Sequence, residues 1–193
     1  MNNSETHKYI GAVSFHSWRG CDDVTLRKWA DAAKEINVPL LVGEGSTDAA
    51  AHGYAEIFNE STFALYEINL YTRICTICQP LSILQWQLTS DYSLLWGDGI
   101  YGSKGPLRPT QRFWNIKQLA STPADALAIS VSSSKKNVNC AAFGNMVRGE
   151  YAVHMVNNGA DCEAVISGIP AEVKKLKVYV TNTKDCMKET AVK

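Results

Sequence analysis

Glu44 is the residue of this chain best placed for chemistry. It follows the apolar run Pro39-Leu40-Leu41-Val42 and stands between Gly43 and Gly45. An ionised carboxylate is too costly to bury without a partner, so Glu44 must face a cleft or solvent. It is either an exposed acid beside a turn, or a nucleophile or general base whose flanking glycines let backbone and substrate approach closely. His16 and Trp18 close an earlier apolar run, and Trp86 and Gln87 close a later one. His16 is a core histidine bonded to backbone or a group that orients a carboxylate or a sugar hydroxyl. Trp86 packs in a core or offers its flat face to the C–H side of a sugar ring. Asp91, Tyr92, Trp96 and Asp98 follow, a mix of aromatics and short acids that fits a sugar cleft and an ordinary solvated loop equally well.

The elements needed to position these groups can be read on either side of them. Residues 10–15 (IGAVSF) form a short apolar strand. Asp22 and Asp23 offer an N-cap, because their carboxylates accept the orphan amide hydrogens of a first turn. Leu26, Trp29, Ala30, Ala33 and Ile36 then repeat at helical spacing up to Asn37. Residues 39–42 are the next strand. Residues 46–59 read as loop with room for one helical turn. Ala64, Leu65, Ile68, Thr72, Cys75 and Cys78 mark a second amphipathic helix, stopped by Pro80, and residues 83–88 a third strand. The order β-α-β-α-β with short connections predicts parallel strands and right-handed crossovers. Ligands bind at the shared end of such strands, where His16, Glu44 and Trp86 all fall. Residues 94–109 are Gly-rich and irregular, and residues 110–119 (TQRFWNIKQL) form a last helix.

After Ser121-Thr122-Pro123 the pattern changes. Residues 127–131, 138–143, 151–156, 162–166 and 176–180 are strand-length runs, separated by turns such as Asn157-Asn158-Gly159 and Gly168-Ile169-Pro170. Short strands at regular spacing indicate an antiparallel sheet or sandwich.

Other motifs lead nowhere. Cys75-Thr76-Ile77-Cys78 lies inside a helix, where i and i+3 face the core together. A redox pair instead follows a strand, and no second pair exists for zinc. Gly97-Asp98-Gly99 lacks the strand-to-helix setting of a phosphate loop, and His52 and His154 have no partners at metal spacing. Six cysteines in 193 residues, without regular spacing, do not make a disulfide scaffold. Hydrophobic content of 46%, charged content of 20% and zero formal net charge describe an ordinary globular chain. No clustered basic face points to nucleic acid. No apolar run approaches the roughly 18 residues of a membrane span, and the first ten residues are not a signal peptide.

At the strand-end residues the chain resembles the clan of retaining (β/α)8 glycoside hydrolases, most closely glycoside hydrolase family 30 and its relatives. There strand six ends in His-x-aromatic, matched by His16-Ser17-Trp18. Strand seven ends in the nucleophilic Glu, matched by Pro39-Leu40-Leu41-Val42-Gly43-Glu44. Strand eight carries a sugar-stacking Trp, matched by Leu84-Gln85-Trp86. A return helix then leads to an all-β C-terminal domain. The single motifs are short, and their order across nearly the whole chain carries the resemblance.

The resemblance implies an α/β portion followed by all-β. Residues 1–122 would be the last three strands of the barrel with their helices, and residues 123–193 an incomplete β-sandwich. Glu44 would be the catalytic nucleophile, with His16, Trp18, Trp86 and Gln87 binding an oligo- or polysaccharide. No metal or cofactor, nucleic acid or membrane would take part, and the parent enzyme would be extracellular or periplasmic. The family's acid/base sits on strand four as Asn-Glu, ahead of the nucleophile, and nothing like it precedes Glu44. Asn59-Glu60-Ser61 mimics the dipeptide but follows strand seven, where Ser61 reads as a helix cap. A closed barrel needs about 250 residues, so hydrolysis by this chain alone is expected to be weak or absent. Two other readings stay open: a non-catalytic carbohydrate-binding protein using Trp86 and neighbouring aromatics, and a compact α/β domain unrelated to sugars.

Overall fold

The computed structural model describes residues 4–48 and 54–191; His52 lies outside them. A single helical turn, α1 (Ser4–His7), leads to β1 (Val13–His16), α2 (Asp23–Glu35) and β2 (Leu40–Gly45). A 3-10 turn (Ala55–Asn59), α3 (Ser61–Ile77) and β3 (Ser82–Gln85) follow. The three strands form one parallel sheet in the order β1-β2-β3, as the alternation of strand and helix predicts.

Side-chain chemistry accounts for these elements. Asp22 accepts the amide hydrogens of Val24 and Thr25 and caps α2. At the other end Asn37 takes the left-handed conformation (φ 54°) that stops the helix. On β1, Val13 and Phe15 are buried while Ser14 and His16 are exposed. The buried residues of β1 and β2 pack with Leu26 and Ala33 of α2, with Ile68, Tyr71 and Ile74 of α3, and with Cys78 at its C-cap. Each large apolar side chain in that layer contributes about 1.5–3 kcal/mol by leaving water. Both helices cover the same face, so the opposite face, bearing Ser14, His16 and Leu84, is open. Cys75 and Cys78 are buried on the core side of α3, with their thiols pushed up to about 12 and about 11 by burial.

β4 (Leu95–Trp96) and β5 (Arg108–Pro109) make a small antiparallel ladder in the Gly-rich stretch, with a 3-10 turn (Ile100–Gly102) between them. Thr110 then caps α4 (Gln111–Leu119). Beyond it, β6 (Leu127–Ile129), β7 (Val138–Asn145) and β8 (Glu150–Asn157) form an antiparallel sheet. A separate antiparallel pair joins β9 (Val178–Val180) to β10 (Lys188–Thr190). The molecule is thus a mixed α/β structure with several sheets. Side chains lock the later strands to the helices. Asn139 and Asn158 bond Asn69 of α3, Thr76 donates to the Cys140 carbonyl at 2.6 Å, and Gln118 of α4 donates to the Tyr179 carbonyl at 3.0 Å.

Four expectations are corrected. Residues 162–166 join no ladder, because high β propensity without a partner strand leaves a run unpaired. The run at 176–180 keeps only β9. The third strand ends at Gln85 rather than residue 88: Gln87 bonds Tyr92 and Leu94 across a loop instead of a neighbouring strand. Glu60, not Ser61, is the residue at the N-cap of α3, and Ser61 opens the helix. Among the described residues no helix is long and apolar enough to cross a membrane.

Candidate active site

The decisive local feature is an extra residue in β2. Phe15 pairs with Val42, but His16 pairs with Glu44, so β2 advances two residues while β1 advances one. The same slip recurs against β3, where Val42 pairs with Ile83 and Gly45 with Gln85. Strict alternation would send the Glu44 side chain to the buried face with Val42. The bulge re-aims it toward the open face, where His16 lies. The flanking glycines are required by packing. A Cβ on Gly43 would meet the Ser14 Oγ at 2.6 Å, and one on Gly45 would meet Ile83 and the Tyr71 hydroxyl at 2.7 Å. The close approach they permit is to neighbouring strands and helix α3.

Two ring nitrogens from the end of β1 hold the carboxylate. Trp18 Nε1 donates to Glu44 Oε2 at 2.9 Å, and His16 Nδ1 lies 3.2 Å from the same oxygen. Among the described residues no donor reaches Oε1. One oxygen is fixed and the other faces outward, on a side chain 30% exposed. The backbone reinforces this arrangement: Ser17 N donates to the Glu44 carbonyl at 3.0 Å and Trp86 N to the Gly45 carbonyl at 2.7 Å.

Trp86 is 40% exposed just beyond β3, and its peptide bond to Gln87 is cis. The Gln87 backbone receives Leu94 N and donates to the Tyr92 carbonyl, which folds the following loop back. That loop brings the Tyr92 ring edge-on to Trp18 at 4.7 Å, and behind Tyr92 stand Phe58 and Tyr101. Of the residues singled out in the sequence, His16, Trp18 and Glu44 are therefore in direct contact. Trp86 is tied to the end of β2 through its backbone, and Gln87 to the loop that carries Tyr92. Asp98 is exposed on the small ladder's turn, and Glu60 is engaged with the Tyr54 hydroxyl and Thr62.

Beneath the site lies a group that the sequence reading passed over. Glu67 of α3 and Arg112 of α4 form a fully buried, two-pronged ion pair, with Nε–Oε2 at 2.9 Å and Nη2–Oε1 at 2.7 Å. The signal was present in the chain. Glu67 falls among the apolar positions of its helix, and Arg112 precedes Ile116 and Leu119 at helical spacing. A charge on a buried stripe demands a partner. No set of three His, Cys, Asp or Glu side chains among the described residues could hold a metal ion. A cavity of about 340 Å3 lies between Trp18, Tyr66 and Arg73, and Glu44 does not line it. The carboxylate stands on the open face of the sheet.

Comparison with protein-family models gives no match, and comparison with curated proteins gives none either. Among solved structures, the chain is similar to a glycoside hydrolase family 30 endoxylanase from Clostridium papyrosolvens. The TM-score is 0.72 at 12% identity over 98% of this chain. The match spans 45% of the endoxylanase chain. At that identity the likeness establishes the fold.

Proposed function

We propose that this chain carries the nucleophile side of a retaining glycoside hydrolase site, with Glu44 as nucleophile. The observation that carries the proposal is the asymmetric grip on its carboxylate: the Trp18 N–H on Oε2, the His16 ring nitrogen 3.2 Å from the same oxygen, and Oε1 without a donor among the described residues on a partly exposed side chain. Residues 1–122 are read as the last three strands of a (β/α)8 barrel and residues 123–193 as part of a β-sandwich. The parallel sheet, the antiparallel strands after α4 and the family 30 fold likeness support that division.

In this reading Oε1 attacks the anomeric carbon of a bound oligo- or polysaccharide. The C–O bond to the leaving group breaks, and a glycosyl ester forms on Glu44. Nε1–H of Trp18, with the His16 ring beside it, holds the charge on Oε2 and keeps Oε1 in line. Trp86 and Gln87 supply a stacking face and an amide for the sugar. The leaving oxygen needs a proton from a second carboxyl roughly 5–5.5 Å away, which later deprotonates the attacking water. In the family that carboxyl belongs to an Asn-Glu ahead of the nucleophile, and no Asn-Glu precedes Glu44 in this sequence, so the chain by itself is expected to turn over little or no substrate. By the same reading the parent enzyme is extracellular or periplasmic, and the chemistry needs no cofactor.

An activated sugar separates nucleophile from acid. Fluoride leaves without protonation, so 2-deoxy-2-fluoro-β-xylosyl fluoride tests Glu44 alone; xylose is chosen because the similar structure is an endoxylanase. Intact mass should show one adduct, mapped to the Glu44 peptide and absent in Glu44→Gln. A wild-type protein that stays unlabelled overturns the nucleophile role. The exposed Trp86 favours a second reading, a carbohydrate-binding protein. Binding to immobilised xylan that survives Glu44→Ala but is lost in Trp86→Ala would select it.

A further inference from the structure

We propose that the buried Glu67–Arg112 pair is a positioning hub that sets the geometry of all three strand ends; its catalytic meaning rests on the reading of Glu44 as nucleophile. The hydrogen bonds of the pair beyond its own two prongs run to the residues that support the site. Arg112 Nη1 donates to the Tyr92 and Ser93 carbonyls at 3.0 and 2.9 Å. Its guanidinium lies over Phe58 and Phe63, 5.0 and 5.2 Å from the ring centres. Glu67 Oε1 accepts from the Ser46 hydroxyl at 2.8 Å and from the Gln85 amide at 3.5 Å, and Tyr71 donates to the other end of that amide.

Each strand end has its own connection to this hub. β2 reaches it through Ser46, two residues after Glu44. β3 reaches it through Gln85, its last residue. β1 reaches it by two routes. Ser17, which separates His16 from Trp18, accepts from Ser46 N at 3.1 Å and donates to the Ser46 carbonyl at 2.5 Å. Trp18 also leans on the ring of Tyr92, whose carbonyl Arg112 holds. Trp18, which donates to Glu44, and His16 beside it are therefore held by the same pair that holds the end of the strand carrying Glu44.

A pair of this kind is poorly explained by stability, since apolar residues of similar volume commonly replace buried ion pairs without loss. What apolar residues cannot supply is direction. The planar fork binds two carboxylate oxygens and two backbone carbonyls at fixed angles, which a lysine point charge does not reproduce. Supporting contacts of this sort decide whether a site is held to the tolerance that chemistry needs.

The test uses Ser46→Ala and Arg112→Lys, read first by the Trp18 indole N–H in 15N NMR, assigned with Trp18→Phe. That signal reports the Trp18–Glu44 bond whether or not the protein handles sugars. In both variants the indole proton is expected to exchange roughly tenfold faster than in wild type. Labelling of Glu44 by the fluorosugar is expected to slow about a hundredfold, as a misplacement of about 1 Å would produce. An unchanged indole signal in folded Arg112→Lys overturns the hub, and the double change Glu67→Met with Arg112→Met, which removes the pair and with it both routes to β1, decides if Arg112→Lys does not fold. A changed indole signal in a protein whose wild type takes no label keeps the hub and removes the nucleophile.

Discussion

A single carboxylate can be read from sequence only as far as its neighbours allow. Glu44, His16 and Trp18 were legible because each follows an apolar run, and parallel strand ends converge. The sequence could not show that Gly43 adds a residue to β2 and turns Glu44 to the open face, since a bulge exists only against partner strands. Nor could it show that Trp18 spends its N–H on the carboxylate. His154 makes a similar point away from the site. Its Nε2 lies 2.8 Å from the Thr122 hydroxyl, whose oxygen is also 2.9 Å from the Leu119 carbonyl. Burial lowers its pKa to about 4. The unfolded chain takes up a proton near pH 6.5, the folded one only near pH 4. The stabilising effect of the neutral ring is thus complete above about pH 6.5 and lost as pH falls toward 4. Integrated across that window the linkage amounts to roughly 3 kcal/mol. Urea denaturation at pH 7 and pH 4.5 should show the loss, and His154→Phe should flatten the pH dependence.

At the scale of elements, the sequence located the strands and helices that alternate and overreached where pairing was undecided. The run at residues 162–166 has strand composition, yet no ladder takes it up. The start of α3 falls at Ser61 with Glu60 before it, because a serine in the sequence does not reveal whether its hydroxyl will reach an amide. The contact between α3 and α4 was invisible for another reason: Glu67 and Arg112 lie 45 residues apart, and only the fold makes them neighbours. Their union gives a sharp expectation. Glu67→Ala leaves the Arg112 guanidinium buried without its counter-charge, and breaking such pairs costs about 3–5 kcal/mol. Thermal or urea unfolding should show that loss. The double change Glu67→Met with Arg112→Met should recover most of it, since no stranded charge remains. Recovered stability beside an altered Trp18 signal would separate holding the helices together from aiming the site.

Across the whole molecule the open face of the sheet dominates. Parallel sheets are normally covered on both sides, but here α2 and α3 cover one side and the other carries exposed Leu84 beside the site. Leu81, Trp86 and Leu88, on either side of β3 in the chain, are also exposed, at 73%, 40% and 56%. The outer edges of β1 and β3 pair with no strand among the described residues. Unpaired edges and contiguous apolar surface drive association in water. The chain should therefore bind the dye ANS in its native state, and it should shift to larger species with rising concentration in size-exclusion chromatography. Leu84→Lys places a charge in the middle of that face, where the side chain is 56% exposed, and should reduce both effects while leaving the unfolding midpoint nearly unchanged. A protein that stays monomeric, binds no dye and melts cooperatively would instead have its sheet face satisfied. The reading as a compact α/β domain, in which Glu44 and His16 are incidental, would then displace the hydrolase reading.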